Sequence, residues 1–293
     1  RGAVAFQARK LGLKIVTEEP ERYTEDQERF IRENYPKFGS KPCVSFCGRT
    51  YSSINSKANE MGLSYDRPKT NYIDVFQFSN IKDPKIAYFL GFLWADGSIN
   101  KKGKGRGISV GIVKEDMDNL EWIFDSIGQF SKSVKQGNNN EKEQSYYRVN
   151  DRETHDFLFE NGYAEKSGGS AKKILDKIPQ NLKHYWWRGY FDGDGCFYFA
   201  KRGSYRAFIC SCFDQNWDFV EDLFSILGVK GRLVTRSSIS KLGRPSRASK
   251  YELGRKLDIE KFANYIYKDR DVDKIGLDRK YNKFLSMVEK WNA

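Results

Sequence analysis

Histidine is nearly absent. The 293 residues hold only His155 and His184, too few for a histidine-based catalytic centre or metal cage. Cysteine is scarce and odd in number: Cys43, Cys47, Cys196, Cys210 and Cys212. A chain this long needs no disulfide staples, so reduced, mostly buried thiols in an intracellular protein are expected. Cys43 and Cys47 stand four apart, and Cys210 and Cys212 two apart on a predicted strand. Neither pair has the histidine or cysteine partners of a zinc site. Long apolar runs are missing too. The richest, Ala87 to Ala95, stops at Asp96, far short of the roughly 20 residues of a membrane helix.

What is present is a globular composition, 39% hydrophobic and 15% aromatic, with length for two or three domains. The formal charge of +12, from 51 Lys and Arg against 39 Asp and Glu, favours an anionic partner, and nucleic acid is the commonest for a basic protein. The first residue is Arg1 rather than methionine, so the chain is expected to be a fragment of something longer.

Two internal repeats organise the sequence. In the first, Ala3 to Leu13 is echoed by Ser53 to Leu63 fifty residues later. Both copies read as short amphipathic helices stopped by glycine. Ahead of the second copy, Thr24 caps a helix with Glu25 and Asp26 in its first turn and Phe30, Ile31 and Tyr35 as an apolar stripe. A short helical stretch from Pro42 to Phe46, a turn at Gly48 to Thr50, and a helix from Tyr51 to Met61 complete a three-helix unit.

The second repeat is larger. Tyr88-Phe-Leu-Gly-Phe-Leu-Trp-Ala-Asp96-Gly97 returns as Trp186-Trp-Arg-Gly-Tyr-Phe-Asp-Gly-Asp194-Gly195, the two aspartates 98 residues apart. Each copy is followed by the same predicted order: a hairpin, a helix, two more strands and another helix. The helices Asp118 to Gly128 and Asp218 to Gly228 correspond, each ending in a glycine stop. The expected architecture is therefore α+β: two pseudo-symmetric αββαββα halves forming a saddle, preceded by a small all-α domain. Duplicated units placed side by side suit a nearly palindromic partner such as duplex DNA.

Gly91 and Ala95 on the first helix, and Gly189 and Gly193 on the second, lie four apart on one face. Small residues at that spacing let two backbones approach. Asp83-Pro84 suits the start of the first helix. Close packing would set Asp96 and Asp194 side by side at helix C-termini, where the helix dipole and the other carboxylate both disfavour charge. A cation must compensate. Carboxylate and backbone oxygens, from Asp96, Asp194, Gly97 and Gly195, favour Mg²⁺ or Ca²⁺ over zinc. Asp192 has Trp94 as its counterpart, so symmetry argues against it as a principal ligand.

The ten-residue repeat resembles the signature helix of the LAGLIDADG homing endonucleases, a resemblance extending over residues 83–293. It implies a monomeric, site-specific endonuclease, associated with mobile introns, that cuts both DNA strands across the minor groove and leaves short 3′ overhangs. It implies Mg²⁺ as cofactor, with Mn²⁺ or Ca²⁺ as substitutes and Ca²⁺ non-catalytic. It also implies a basic or amide side chain near the ends of the second and fourth strands of each half. Lys114 and Gln215, then Arg152 and Lys256, are the candidates. Residues 22–64 resemble the Myb/SANT-like helix-turn-helix modules that accompany such enzymes, with Arg49, Thr50, Ser52, Asn55 and Lys57 on or beside the recognition helix. Short polar and basic side chains there suit phosphate and major-groove contacts. The expected division is 1–17 as the remnant of a preceding copy, 18–66 as the helix-turn-helix domain, 67–82 as a linker, and 83–178 and 179–293 as the two halves.

The sheets would present alternate residues to bases and phosphates. Lys101, Lys102, Lys104 and Arg106, then Lys201, Arg202 and Arg206, charge the first two hairpins. Arg232, Arg236, Lys241, Arg244, Arg247 and Lys250 do the same for the last, giving affinity and salt dependence more than specificity. The expected partner is double-stranded DNA with a long, pseudo-palindromic site, in a bacterial or phage-infected cytoplasm or an organelle. The alternative is a DNA- or RNA-binding protein on the same scaffold, a transcription factor or intron maturase with cleavage lost or secondary. A third reading is an intein endonuclease insert; a complete intein would require a nucleophilic first residue and a terminal His-Asn, and Arg1 and Trp291-Asn292-Ala293 supply neither.

Overall fold

The structure is a computed structural model describing residues 22–65, 72–73, 78, 80–100, 105–136, 142–199, 203–239 and 245–292. The chain divides into two units, 1–69 and 70–293.

The first unit contains three helices: α1 (Glu25–Phe38), α2 (Ser40–Cys47) and α3 (Tyr51–Glu60). Thr24 caps α1 through its hydroxyl, which accepts from the Gln27 amide at 3.2 Å, while Gln27 returns a bond to the Thr24 amide at 3.1 Å. This reciprocal box satisfies two amides that the helix cannot use itself. Thr50 caps α3 in the same way, accepting from Ser53. Gly48, at φ 63°, ends α2. Ile31, Cys43, Cys47, Ile54 and Ala58 form the unit's own small core.

The second unit opens with β1 (Tyr72–Ile73), which pairs with β4 (Gly128–Gln129). Ile73, Phe78 and Ile81 are buried in this unit's core. The stretch expected to be a linker therefore supplies core residues, because these three apolar side chains gain more by burial than a solvated connection would allow.

The first half then runs α4 (Pro84–Asp96), β2 (Gly97–Ile99), β3 (Gly107–Val113), α5 (Lys114–Ile127), β5 (Ser131–Lys135), β6 (Gln144–Asn150) and α6 (Arg152–Glu160). A 3-10 turn (Tyr163–Glu165), α7 (Lys172–Lys177) and a second 3-10 turn (Gln180–Leu182) lead into the second half. That half repeats the order as α8 (Lys183–Asp194), β7 (Gly195–Phe199), β8 (Tyr205–Cys212), α9 (Asp218–Leu227), β9 (Gly231–Ile239), β10 (Pro245–Leu253) and α10 (Lys256–Ile266). It adds α11 (Arg270–Asp273) and α12 (Asp278–Asn292).

The two four-stranded sheets have matching antiparallel orders, β2-β3-β6-β5 and β7-β8-β10-β9. Strand alternation explains their sidedness. Ile108, Val110 and Ile112 on β3, and Ala207 and Ile209 on β8, turn inward to one continuous core. Their neighbours along each strand face the other way. This is the α+β fold expected from the repeat. Helix α5 starts directly at Lys114, earlier than the sequence pattern suggested.

Helices α4 and α8 carry the repeated motif and meet through glycine. A methyl added at Gly91 would overlap the Trp186 carbonyl, and one at Gly189 would overlap the Tyr88 carbonyl and reach 2.7 Å from the Phe92 amide nitrogen. The backbones touch, and side chains pack around them. Apart from Gly189, every α8 residue from Trp186 to Phe191 buries a large side chain, Arg188 included.

Candidate functional site

The backbone contact of α4 with α8 carries both C-termini to one place. A methyl on Gly193 would overlap Ala95 Cβ and approach within 2.9 Å of an Asp96 carboxylate oxygen. Asp96 and Asp194 are half-buried, and among the described residues no hydrogen bond is donated to either carboxylate. Burial, then the neighbouring Asp96 charge, push the Asp194 carboxyl up to about 7 against the pull of Lys166 and Lys280. Burial also raises Asp96; Lys166 and Lys280 oppose it, and Asp116 adds to it.

Two lysines that the sequence reading missed close the ends of these helices. Lys166 Nζ donates to the carbonyls of Leu93 (3.3 Å), Trp94 (2.7 Å) and Ala95 at the end of α4. Lys280 Nζ, from α12, donates to Phe191 (2.8 Å), Gly193 (3.2 Å) and Gly195 (2.7 Å) at the end of α8. Carbonyls left unpaired at a helix C-terminus carry partial negative charge, which an ammonium satisfies. Burial lowers Lys166 to about 8 while Asp194 and Asp96 hold it up, and burial likewise lowers Lys280.

Of the four side chains predicted at strand ends, one lies at the aspartates. Gln215 lines a cleft of 50 Å³ with Asp194, Lys166, Ser167 and Ser211. Its amide nitrogen donates to the Gly169 and Asn216 carbonyls, and its oxygen accepts from Ser211 at 2.7 Å. Lys114 is turned to Asp118 at 2.6 Å, one helical turn on. Arg152 pairs with Asp156 at 3.7 Å, and Lys256 Nζ reaches the Trp291 carbonyl at 3.4 Å. These three stand at the starts of helices α5, α6 and α10; Lys114 and Arg152 are taken by acids one turn on, and Lys256 by the end of α12.

Strand register supplies the counterpart of Gln215. Gly97 is opposite Val110 and Gly195 opposite Ile209, so six residues further on Asp116 matches Gln215. Asp116 receives a two-pronged bond from Arg279 of α12, both N···O distances 2.6 Å. The two aspartates are therefore set in unlike surroundings, an amide beside one and an acid–guanidinium pair near the other. Asp192 is buried, accepting from Tyr88 Oη at 2.9 Å and the Leu277 amide at 2.8 Å. It ties α4, α8 and the approach to α12 together.

The residues fit a hard divalent cation. Two carboxylates with unpartnered oxygens, both raised by burial and Asp194 also by the Asp96 charge, are the donor set that Mg²⁺ takes when water completes its shell. Among the described residues no group of three or more His, Cys, Asp or Glu side chains could hold a metal, which sets this pair apart from a closed structural site.

The predicted nucleic-acid contacts divide by location. Arg206, Arg232, Arg236 and Lys250 lie on the second sheet's outward face, and Arg247 stacks on Phe213 at 3.7 Å. Arg106 is exposed at the first hairpin. Lys101, Lys102, Lys104, Lys201, Arg202, Lys241 and Arg244 lie outside the described residues. In the three-helix unit, Arg49 sits over Tyr23 at 5.2 Å and Lys57 pairs with Glu28 at 2.7 Å. Asn55 accepts from Ser40 at 2.6 Å and Tyr35 at 3.1 Å, while Ser52 is exposed.

No family model and no curated protein matches the sequence. Among solved structures, the homing endonuclease I-WcaI bound to its DNA recognition sequence is similar at TM-score 0.46 and 13% identity, over 77% of this chain and 96% of that one. Mesophilic variants of the homing endonuclease I-DmoI are similar at TM-score 0.40 and 14% identity, over 62% and 94%. I-DmoI in complex with DNA and Mn is similar at 0.39 and 14%, over 63% and 97%. Scores and identities this low leave the weight on the geometry of the chain itself.

Proposed function

We propose that this chain is a site-specific double-strand DNA endonuclease of the LAGLIDADG homing type, dependent on divalent metal. The observation that carries the reading is the glycine-mediated meeting of α4 and α8. It sets Asp96 and Asp194 together at the junction of two matching antiparallel sheets, in a chain of net charge +12. Two related acids joined by a pseudo-two-fold suit two scissile phosphates on opposite strands.

Asp96 and Asp194 would hold Mg²⁺, which supplies Lewis-acid polarisation of the phosphate and a hydroxide-like water. Gly97 would place a backbone oxygen beside them, whereas the Gly195 oxygen expected there is taken by Lys280. Lys166 and Lys280 fix the helix ends and set positive charge where negative charge grows on phosphorus. Gln215, held by Ser211 and two carbonyls, orients the water around Asp194. Arg206, Arg232, Arg236, Arg247 and Lys250 meet the duplex, and the three-helix unit adds a helix-turn-helix contact through Arg49, Thr50 and Ser52. The protein acts as a monomer, because both halves of the centre lie in one chain.

The test is cleavage. Purified protein with Mg²⁺, incubated with a plasmid library of randomised inserts, should linearise a small subset sharing one site, with short 3′ overhangs. Tight, selective binding with no cutting in Mg²⁺ or Mn²⁺ would replace this reading with that of a binding protein on the same scaffold.

A further inference from the structure

The register of the second sheet lines up one row of outward-facing side chains. Cys196 is opposite Phe208, Phe208 opposite Glu252, and Glu252 opposite Arg232. The row begins two residues from Asp194 and ends three strands away, roughly 14 Å at the usual strand spacing. An acid stands in the middle of a cationic surface. Glu252 is only 4% exposed although it lies on the outward face, because Arg232, Lys250 and Arg206 cover it. Lys250 takes Oε2 at 2.5 Å, and Arg232 sets both Nε (2.8 Å) and Nη2 on Oε1.

That contact uses one edge of the Arg232 guanidinium. The other edge, Nη1 with the second Nη2 hydrogen, is left over, and the side chain is 69% exposed. An arginine held along one edge presents the other in a fixed plane, the geometry that pairs with guanine O6 and N7. A phosphate is a poorer match, since the adjacent Glu252 charge repels it, whereas guanine's acceptors are neutral. The matching row of the first sheet is Ser98, Ser109, Arg148 and Ser131. There an arginine replaces the glutamate and a serine the arginine. Among the described residues no acid pairs with Arg148, which instead lies over Tyr146 at 5.1 Å.

Resting on the endonuclease reading above, we propose that Arg232 reads a guanine in the half-site under the second sheet, with Glu252 as its positioning residue. The matching row of the first sheet carries Ser131 where Arg232 stands, so the target departs from two-fold symmetry at that base pair.

The experiment is a position-by-position binding profile of the full chain on duplexes randomised in each half-site, in Ca²⁺. One position in the second sheet's half-site should demand guanine. Arg232→Ala should lose that preference there alone, by roughly tenfold to a hundredfold, and Arg232→Lys should not restore it. Glu252→Gln should relax the same position without the shallower salt slope that losing a phosphate contact would give. Because Arg232 is exposed, its loss leaves the fold intact, and circular dichroism of the Glu252 variant checks the rest. A uniform loss across all bases in Arg232→Ala, with a salt slope shallower by about one phosphate, overturns the guanine assignment while leaving the nuclease reading standing. Absence of any selective duplex binding overturns both.

Discussion

Lys166 and Lys280 cap the two motif helices in similar ways, sharing the equivalent carbonyls Leu93 and Phe191, and Ala95 and Gly193. Each ammonium donates to three carbonyls at the end of the helix whose last residue is Asp96 or Asp194. Both are cations beside acids, yet their hydrogen bonds go to backbone, so the carboxylate oxygens stay available. This division of labour shapes the expected behaviour of the centre.

Asp96→Asn or Asp194→Asn should abolish double-strand cutting while duplex binding is kept. Removing one of two adjacent carboxylates also relieves their mutual repulsion, so affinity in metal-free buffer should rise. Retained cleavage of both strands by either variant, seen on denaturing gels, would remove that aspartate from the chemistry.

Lys166→Met and Lys280→Met each remove a donor set and a positive charge. Cleavage should fall about 100- to 1000-fold, the usual cost of losing one such electrostatic contact. Binding should fall far less. Equal losses in binding and cutting would mean that the lysines act only on the fold.

Gly189→Ala forces a methyl into the Tyr88 carbonyl. Overpacking of this kind costs about 1–3 kcal/mol, and here the obstacle is backbone that cannot rotate away. Tm should drop by roughly 5–10 °C, with cleavage lost before the fold because the aspartates separate. A Tm equal to that of the unmutated protein would show that α4 and α8 do not touch through backbone.

Stability should depend on pH with the opposite sign from a salt-bridged acid. Asp194 titrates at about 7 when folded and at about 4 when unfolded. Between those values the folded chain binds the extra proton, so stability declines as pH rises and levels off above about 7. Lys166, lowered to about 8, stays charged in both states through that window and adds no slope. Mg²⁺ should therefore raise Tm more at pH 8 than at pH 5. A metal-free Tm that climbs from pH 5 to 7 would contradict the shared-burial account of the two acids.

The repeat made much of this legible. Two copies of one apolar helix, each ending in Asp-Gly and followed by the same strand order, are enough to pair Asp96 with Asp194 and Gly91 with Gly189. Lys166 and Lys280 were invisible to the same method. They follow their aspartates by 70 and 86 residues and come from a 3-10 turn's edge and a long helix, segments with no common pattern. Asp116 was hidden by a slip of another kind. Lys114 and Gln215 both read from the sequence as following the second strands, whereas the ladder sets Gln215 against Asp116, two residues beyond Lys114. Ile73, Phe78 and Ile81 belong to a short apolar stretch, Tyr72 to Ile81, too brief and irregular to show the period of a helix or strand.

Helix α12 has a consequence for how the two halves hold together. From the second half it sends Arg279 to Asp116 and receives Asn119 at Asp278, while its Lys280 serves its own half. Among the described residues the first half offers no matching helix in return. The second half therefore braces the first through a helix that is not repeated, and the internal symmetry of the pair stops at that contact.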